Sequence, residues 1–186
     1  MLTRFGKFPV FFVLLALSVL AAGLFGAVHN QLSFTVGPDY FHSLKFDQMG
    51  IPDTTRNRLG AAIVGLRASW WMGLAVGSPA LLYGLFRIPR AGTYLAAGIG
   101  AIGMVVFLAA FAAMLGLLAG LTLPATGWLD PLQTPDGVER QDFLRAGLMH
   151  EASYLGGALG ALLAFWPIHR AARLDTARLE GKAQAT

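Results

Sequence analysis

The sequence predicts an all-α membrane protein: a bundle of four transmembrane helices with a small outer cap between the first and second helices. Three observations support this fold class. Of the 186 residues, 55% are apolar and only 13% are charged, so the chain has too little polar surface to cover a globule of this size in water. The apolar residues form four long blocks, and most cations lie beside the ends of those blocks.

The four blocks are residues 8–28, 59–86, 91–123 and 144–168. Each is long enough to cross a hydrocarbon core of about 30 Å at about 1.5 Å per helical residue. The first block follows basic residues and could be a cleaved signal peptide, but its uncharged run is longer than a usual signal core. Because no linker is long enough to hold another domain, residues 1–186 are predicted to form a single transmembrane domain.

The distribution of cations predicts the side of the membrane on which each loop lies. Eight cations lie at the two ends and in the short connection 87–90: Arg4, Lys7, Arg87, Arg90, Arg170, Arg173, Arg178 and Lys182. This bias predicts that both termini and the tail 169–186 are cytoplasmic, and that loops 29–58 and 124–143 lie on the outer side. The net charge of +4 does not indicate nucleic-acid binding, because the cations form no contiguous stripe.

The first outer loop contains two local patterns. Leu32, Phe34 and Val36 alternate with polar residues, which predicts a short strand. Residues 37–39 (Gly-Pro-Asp) are typical of a turn, and an apolar helical stripe follows within residues 40–49. Together they predict a small cap on the outer membrane surface.

Ionisable residues inside two of the apolar blocks predict a polar cluster. Arg67 lies in the second block, and His150 and Glu151 lie in the fourth, where each costs free energy unless it has a partner. Both blocks enter from the outer side, so counting residues places these groups at similar depths. We therefore expect Arg67 and Glu151 to face each other, joined by His150, Tyr154 or Ser153, with His29 near the same surface. A water-filled funnel open to the outer side would also accommodate these groups. The sequence leaves open whether this cluster is a structural clamp or a functional site.

Neighbouring residues carry two further predictions. Trp70 and Trp71 follow Arg67 by three and four positions, so one indole is predicted to stack on the guanidinium group. Small residues recur at helical spacing in the fourth block and predict close helix packing. They are Ser153, Gly156, Gly157 and Gly160.

No metal site and no cofactor is predicted. The chain has no cysteine. His150 and Glu151 resemble the start of a zinc protease helix, but Tyr154 occupies the position where the second histidine is needed. A haem held by His29 and His150, near the same surface, is kept as an alternative. The sequence contains no recognisable nucleophile or phosphate-binding loop, so it does not predict an enzyme.

Three parts of the sequence carry a resemblance to a known family. These parts are residues 29–41 with 45–46, the positions Arg67, Trp70 and Trp71, and residues 150–154. They resemble a family of uncharacterised bacterial membrane proteins with no assigned activity. The resemblance implies a four-span inner-membrane protein and no mechanism. Gly37 stands where a serine-like residue is expected and Phe34 where a tyrosine is expected, which argues against hydroxyl chemistry at those positions.

The favoured function is a non-enzymatic binding, sensing or accessory subunit with a buried polar cluster near the outer face. The first alternative is a small transporter or channel-like oligomer in which Arg67 and Glu151 line an aqueous path. The second alternative is a haem- or metal-binding membrane protein. The predicted partners are the lipid bilayer and either a second copy of the chain or another membrane subunit, but not nucleic acid.

Overall fold

The computed structural model describes residues 6–129 and 132–184, and within these residues it contains helices and no strand. Five helices are long. They are α1 (Phe8–Val36), α4 (Arg58–Arg87), α5 (Ala91–Thr122), α6 (Arg140–Leu163) and α7 (Phe165–Gln184). Between α1 and α4, a connecting segment of residues 37–57 contains α2 (Pro38–Tyr40), a π-helical turn (Phe41–Lys45), α3 (Phe46–Gln48) and a 3-10 turn (Asp53–Thr55).

The predicted strand at Leu32, Phe34 and Val36 is wrong, because α1 continues through these residues. The buried residues of this last stretch are His29, Asn30 and Ser33, which share one face of a helix. That polar face packs against other helices. The helical spacing of these buried polar residues therefore decides the local structure, and the short alternation of apolar residues does not. The helix ends at Gly37 because Pro38 follows, and the residue before a proline disfavours helical backbone.

Three of the helices, α1, α4 and α5, are long and apolar enough to cross a membrane. α6 is not among them, because His150 and Glu151 lower the hydropathy of its apolar part. It is nevertheless 24 residues long, and a single turn at Ala164 separates it from α7.

α1 and α4 form a closely packed antiparallel pair. Near the middle of the pair, a Cβ atom on Gly65 would overlap the carbonyl oxygen of Gly26, so the two backbones approach to a distance that only glycine allows. Side chains of α1 also donate to backbone carbonyls of α4. Asn30 donates to the Ala61 oxygen at 2.9 Å and Ser18 to the Gly73 oxygen at 2.8 Å.

α5 and α6 form a second antiparallel pair. Cβ atoms on Gly116 and Gly120 of α5 would overlap α6, and Cβ atoms on Gly156 and Gly160 of α6 would overlap α5. These contacts extend over four turns of α5. The second pair therefore rests on the same small-residue packing as the first.

The two pairs meet at the end of the molecule that holds Lys7. An apolar core there joins α1, α4, α5, the turn at Ala164 and α7, and its buried members are Leu14, Ala80, Leu81, Leu85, Ile88, Tyr94, Ala101, Ala164, Ile168 and Ala172. Lys7 is 3% exposed, and its ammonium group donates to the carbonyl oxygens of Leu85 and Ile88, each at 2.6 Å. A cation at these carbonyls is favourable because they end α4 and carry partial negative charge.

A buried carboxylate fixes α7 at the same end. Asp175 is 1% exposed and accepts hydrogen bonds from the Arg90 backbone and side chain and from the Thr93 hydroxyl. Burial alone would raise the pKa of Asp175, but these hydrogen bonds outweigh it and hold the pKa below its usual range. Asp175 thus joins α7 to the start of α5.

The connecting segment packs over the opposite end of the molecule. Its core is formed by Tyr40, Phe41, Phe46 and Ile51 together with Ala61, Val64 and Ala146. The Asp39 carboxylate accepts a hydrogen bond from the Glu139 backbone at 2.8 Å, next to the start of α6. The segment therefore bridges α4 and α6.

We predict that Asp175→Asn lowers the free energy of unfolding by about 1–3 kcal/mol at neutral pH, because buried donors lose a charged acceptor. The folded-state pKa of Asp175 lies below that of the unfolded chain, which is about 4. The contribution of the carboxylate is therefore fully present above about pH 4 and is lost as the pH falls through the folded-state pKa. Thermal unfolding in detergent from pH 7 to pH 3 measures this.

The difference in melting temperature between the parent protein and Asp175→Asn should shrink in acid. Glu180→Gln, at an exposed position of α7, is the matched control and should leave the melting temperature unchanged at neutral pH. A difference that stays constant down to pH 3 would contradict the assignment.

Candidate functional site

A cavity of about 390 Å³ lies between the two helix pairs. The pairs meet at one end through the apolar core and at the other through α1, α6 and the connecting segment, and they diverge between these contacts. Side chains from α1, α4, α5, α6 and the connecting segment line the space. Its volume falls within the range of small-molecule sites, roughly 300–1,000 Å³.

The walls of the cavity are mostly small and apolar. Small residues from four helices line it with their side chains or with open space at the Cβ position: Ala21, Ala22, Ala68, Ala101, Ala109 and Gly157. Gly26, Gly65, Gly73 and Gly77 also line it, but their Cβ positions point into the contact between α1 and α4. Because a small side chain cannot reach across to the opposite pair, the space between the pairs is left unfilled. The cavity is therefore a consequence of the residue types that allow each pair to pack so closely.

The polar residues of α1 and α6 lie together at the end of the cavity beneath the connecting segment. The ring centroids of His29 and His150 are 4.7 Å apart, in edge-to-face contact. The Ser33 hydroxyl lies 3.2 Å from Nε2 of His150, and Ser153 donates to the His150 carbonyl at 2.7 Å. Nε2 of His29 is buried and has no hydrogen-bond partner among the described residues.

The connecting segment contributes aromatic side chains to this end. The Tyr40 ring packs on His150 with centroids 5.0 Å apart, and Phe41 contacts the same imidazole. Burial, together with nearby Tyr154 and Glu151, raises the pKa of Tyr40. The phenol is therefore neutral at physiological pH, and the imidazole is held between aromatic rings.

Arg67 does not form the predicted ion pair with Glu151. Its guanidinium group donates to the Met49 carbonyl oxygen of the connecting segment at 3.2 Å. No ion pair joins Arg67 to Glu151 among the described residues, and both side chains are exposed. The interaction that the sequence assigned to a neighbouring helix is made by the connecting segment.

The predicted stacking of Trp70 or Trp71 on Arg67 is also absent among the described cation–π contacts. Trp71 instead lines the cavity and is 51% exposed. Tyr154 likewise lines the cavity and is 40% exposed. Arg67 also lines the cavity and is exposed. The cavity therefore reaches the molecular surface at Arg67, Trp71 and Tyr154.

Lys45 is a second cation at this end of the cavity. It lies on the π-helical turn, donates to the Gln48 side chain at 3.1 Å and sits over the Tyr40 ring. Burial lowers the pKa of Lys45, and the charge of Glu151 opposes this shift. Lys45 and Arg67 both line the cavity, and no carboxylate is among its described lining residues.

The four residues predicted to pack helices have different environments. Gly156 and Gly160 contact α5. Gly157 has open space where its Cβ would be and lines the cavity, so it does not pack a helix. Ser153 also lines the cavity.

The two imidazoles do not suit a shared haem. Histidines that ligate one haem iron lie on opposite faces of the porphyrin, so the macrocycle separates their rings. The rings of His29 and His150 touch each other, which leaves no space for a porphyrin between them. The residues that the structure describes also contain no group of three or more His, Cys, Asp or Glu side chains arranged to hold a metal ion.

Sequence reasoning missed Asn30, Ser33, Tyr40 and Lys45. Asn30 and Ser33 carry a usable signal, because with His29 they place polar groups at helical spacing next to an apolar block. Tyr40 and Lys45 carry none, since their position depends on how the connecting segment folds back over the helix ends.

In comparisons with known proteins, no family model, no curated protein and no solved structure gives a significant match to the chain. The fold defines an all-helical protein with three helices that suit a membrane. The site defines a predominantly apolar cavity with polar and cationic groups at one end.

We predict that Arg67→Ala and Glu151→Ala have additive effects on the free energy of unfolding, within about 0.5 kcal/mol, because no ion pair joins the two side chains among the described residues. A double-mutant cycle in detergent measures the coupling. The control cycle uses Arg90→Ala and Asp175→Ala, which remove a direct ion pair and should give a coupling above about 1 kcal/mol. A comparable coupling energy for Arg67 and Glu151 would instead support the ion pair that the sequence predicts between them.

Proposed function

We propose that the chain is a non-enzymatic binding protein of the bacterial inner membrane that holds a membrane-soluble ligand in the cavity between its helix pairs. In this proposal the chain crosses the bilayer four times with both termini in the cytoplasm, and the connecting segment is an outer cap. The observation that carries the proposal is the cavity itself: its walls are mostly apolar, three of the helices that line it suit a membrane, and it opens at Arg67, Trp71 and Tyr154.

The heights of the polar groups support this placement. Arg67 precedes Arg87 by 20 residues, and His150 precedes Arg170 by 20 residues. At about 1.5 Å per residue, each interval corresponds to about 30 Å, the thickness of the hydrocarbon core. Arg67 and His150 would then lie at the outer boundary while Arg87 and Arg170 lie at the inner boundary. On this placement Arg67 is not deeply buried in lipid, which accounts for its exposure.

The packing of α6 supports a fourth crossing. Its contacts with α5 extend from Gly120 beside Arg145 to Gly160 beside Val105. α6 thus runs along about 23 Å of a helix that is itself apolar enough to span. His150 and Glu151 would lie at the outer boundary of the hydrocarbon core, and residues 152–163 of α6 below them carry no charge.

Binding fits the cavity better than transport does. A conducting path needs polar groups along its length, whereas the described polar and charged lining groups lie mainly at the end beneath the connecting segment. The opposite end is closed by an apolar core that contains Leu14, Leu81 and Tyr94. A site that is closed at one end and apolar along its walls suits a retained hydrophobic ligand.

The topology can be tested with single cysteines, because the chain contains none. Ser43→Cys lies in the connecting segment and Thr176→Cys in α7. We expect a membrane-impermeant maleimide to label Ser43→Cys in intact cells, and to label Thr176→Cys only after the membrane is opened. Labelling of both positions in intact cells, or of Thr176→Cys alone, would overturn the four-span topology.

The cavity can be tested by filling it. We predict that Gly157→Leu abolishes binding of a bromine-labelled alkyl chain, measured as quenching of Trp71 fluorescence in a variant with the other three tryptophans replaced by phenylalanine. The new side chain enters open space, so the fold should survive and the melting temperature should be kept.

Gly103→Leu is the matched control for this experiment. Gly103 is an exposed glycine of α5, also with open space at its Cβ position, and it is not among the cavity lining residues. Its substitution should leave quenching unchanged. Equal quenching in Gly157→Leu and Gly103→Leu would refute a binding function for the cavity.

A further inference from the structure

We infer that the ligand of the cavity is a single-chain amphiphile with an anionic head, carboxylate or phosphate, bound with its head beneath the connecting segment and its chain between the helix pairs. This inference rests on the proposed function and names the class of ligand. Three features of the cavity carry it: the distribution of charge, the shape of the space and the position of the opening.

The charge at the upper end of the cavity is positive. Lys45 and Arg67 line it from two different elements, and no described lining residue is acidic. Glu151 acts on Lys45 electrostatically, but it is exposed and is not a described lining residue. With one carboxylate near two cations, one positive charge is left for an anionic group.

The cations also have free hydrogen-bonding capacity. An ammonium group has three donors and a guanidinium group has five. The structure accounts for one hydrogen bond from Lys45, to Gln48, and one from Arg67, to Met49. Carboxylate and phosphate are acceptor groups that such donors bind, and their hydrogen bonds to charged donors are stronger than those between neutral groups.

The shape of the cavity suits one hydrocarbon chain. Its lining on α4 runs from Val64 to Leu81, which corresponds to about 26 Å along the helix axis. Its volume of about 390 Å³ is near the lower end of the range for small-molecule sites. A long space of small volume is narrow, so it accommodates one chain and not the two chains of a diacyl phospholipid.

The opening lies at the level that the head of a lipid occupies. Trp71 and Tyr154 are exposed at the cavity mouth, one turn below Arg67 and His150 respectively, and aromatic residues of this kind are enriched at the membrane interface. An amphiphile in the outer leaflet would therefore meet the opening with its head already beside the cations. Its chain could enter the cavity without carrying a charge through hydrocarbon.

The test compares three probes in the variant that retains only Trp71: a bromine-labelled fatty acid, an alkyl phosphate with the same labelled chain, and the corresponding neutral alcohol. We expect both anionic probes to quench Trp71 with affinities at least about tenfold higher than the alcohol. The tighter of the two anionic probes identifies the head as carboxylate or phosphate.

Replacing the cations should remove this preference. In Lys45→Gln/Arg67→Gln the anionic probes should bind about as weakly as the alcohol, whereas Lys45→Arg/Arg67→Lys should retain the preference because the charges remain. Arg170→Gln removes one positive charge from an exposed residue that is not among the cavity lining residues, and it should change none of the affinities.

The outcomes separate the two proposals. If the alcohol binds as tightly as the anionic probes, or if Lys45→Gln/Arg67→Gln keeps the preference, the anionic head is wrong while a binding function for the cavity stands. If no probe quenches Trp71, or if Gly157→Leu quenches as the parent does, the cavity is not a ligand site and both proposals fall.

Discussion

The structure depends on the contact between the backbones of α1 and α4 at Gly26 and Gly65. In a bilayer, helices gain little from hiding apolar surface, so association relies on close packing and hydrogen bonds. The glycines bring the helices near enough for Asn30 and Ser18 to donate to carbonyl oxygens across the interface. The α5/α6 pair uses the same type of contact. Two helix pairs that pack through small residues leave space between one pair and the other, because small side chains do not reach across it. The cavity lies in this space.

The polar groups divide into two layers with different surroundings. At one end, Lys7 and Asp175 are almost completely buried, and each has several hydrogen bonds to groups at helix ends. At the other end, Arg67 and Lys45 each have one hydrogen bond to the described residues and line the cavity. The first layer is closed and suits a structural role. The second has unused donors, which is the basis for assigning ligand binding to that end.

The long helices could be predicted from the sequence because uninterrupted apolar length is a local property of the chain. The helical character and three membrane-suited helices are confirmed.

The pairing of Arg67 with Glu151 could not be predicted in the same way. Depth along a helix follows from counting residues, but direction around the helix axis depends on packing. The connecting segment also supplied a carbonyl oxygen that no charge pattern could reveal. The burial of Lys7 was missed because a cation beside an apolar block looks like a topology signal even when it is a buried hydrogen-bonding group. The burial of Asp175 was missed because it depends on how α7 packs against the start of α5.

The hydrogen bonds of Lys7 have a consequence for biosynthesis. Its acceptors are Leu85 and Ile88, and the other polar contacts that join α1 to α4 also lie before Ala91, where α5 begins. All the residues needed to close this helical hairpin therefore leave the ribosome before those of the next helix do. The first pair can assemble during translation, and the second pair then docks against a partner that is already formed.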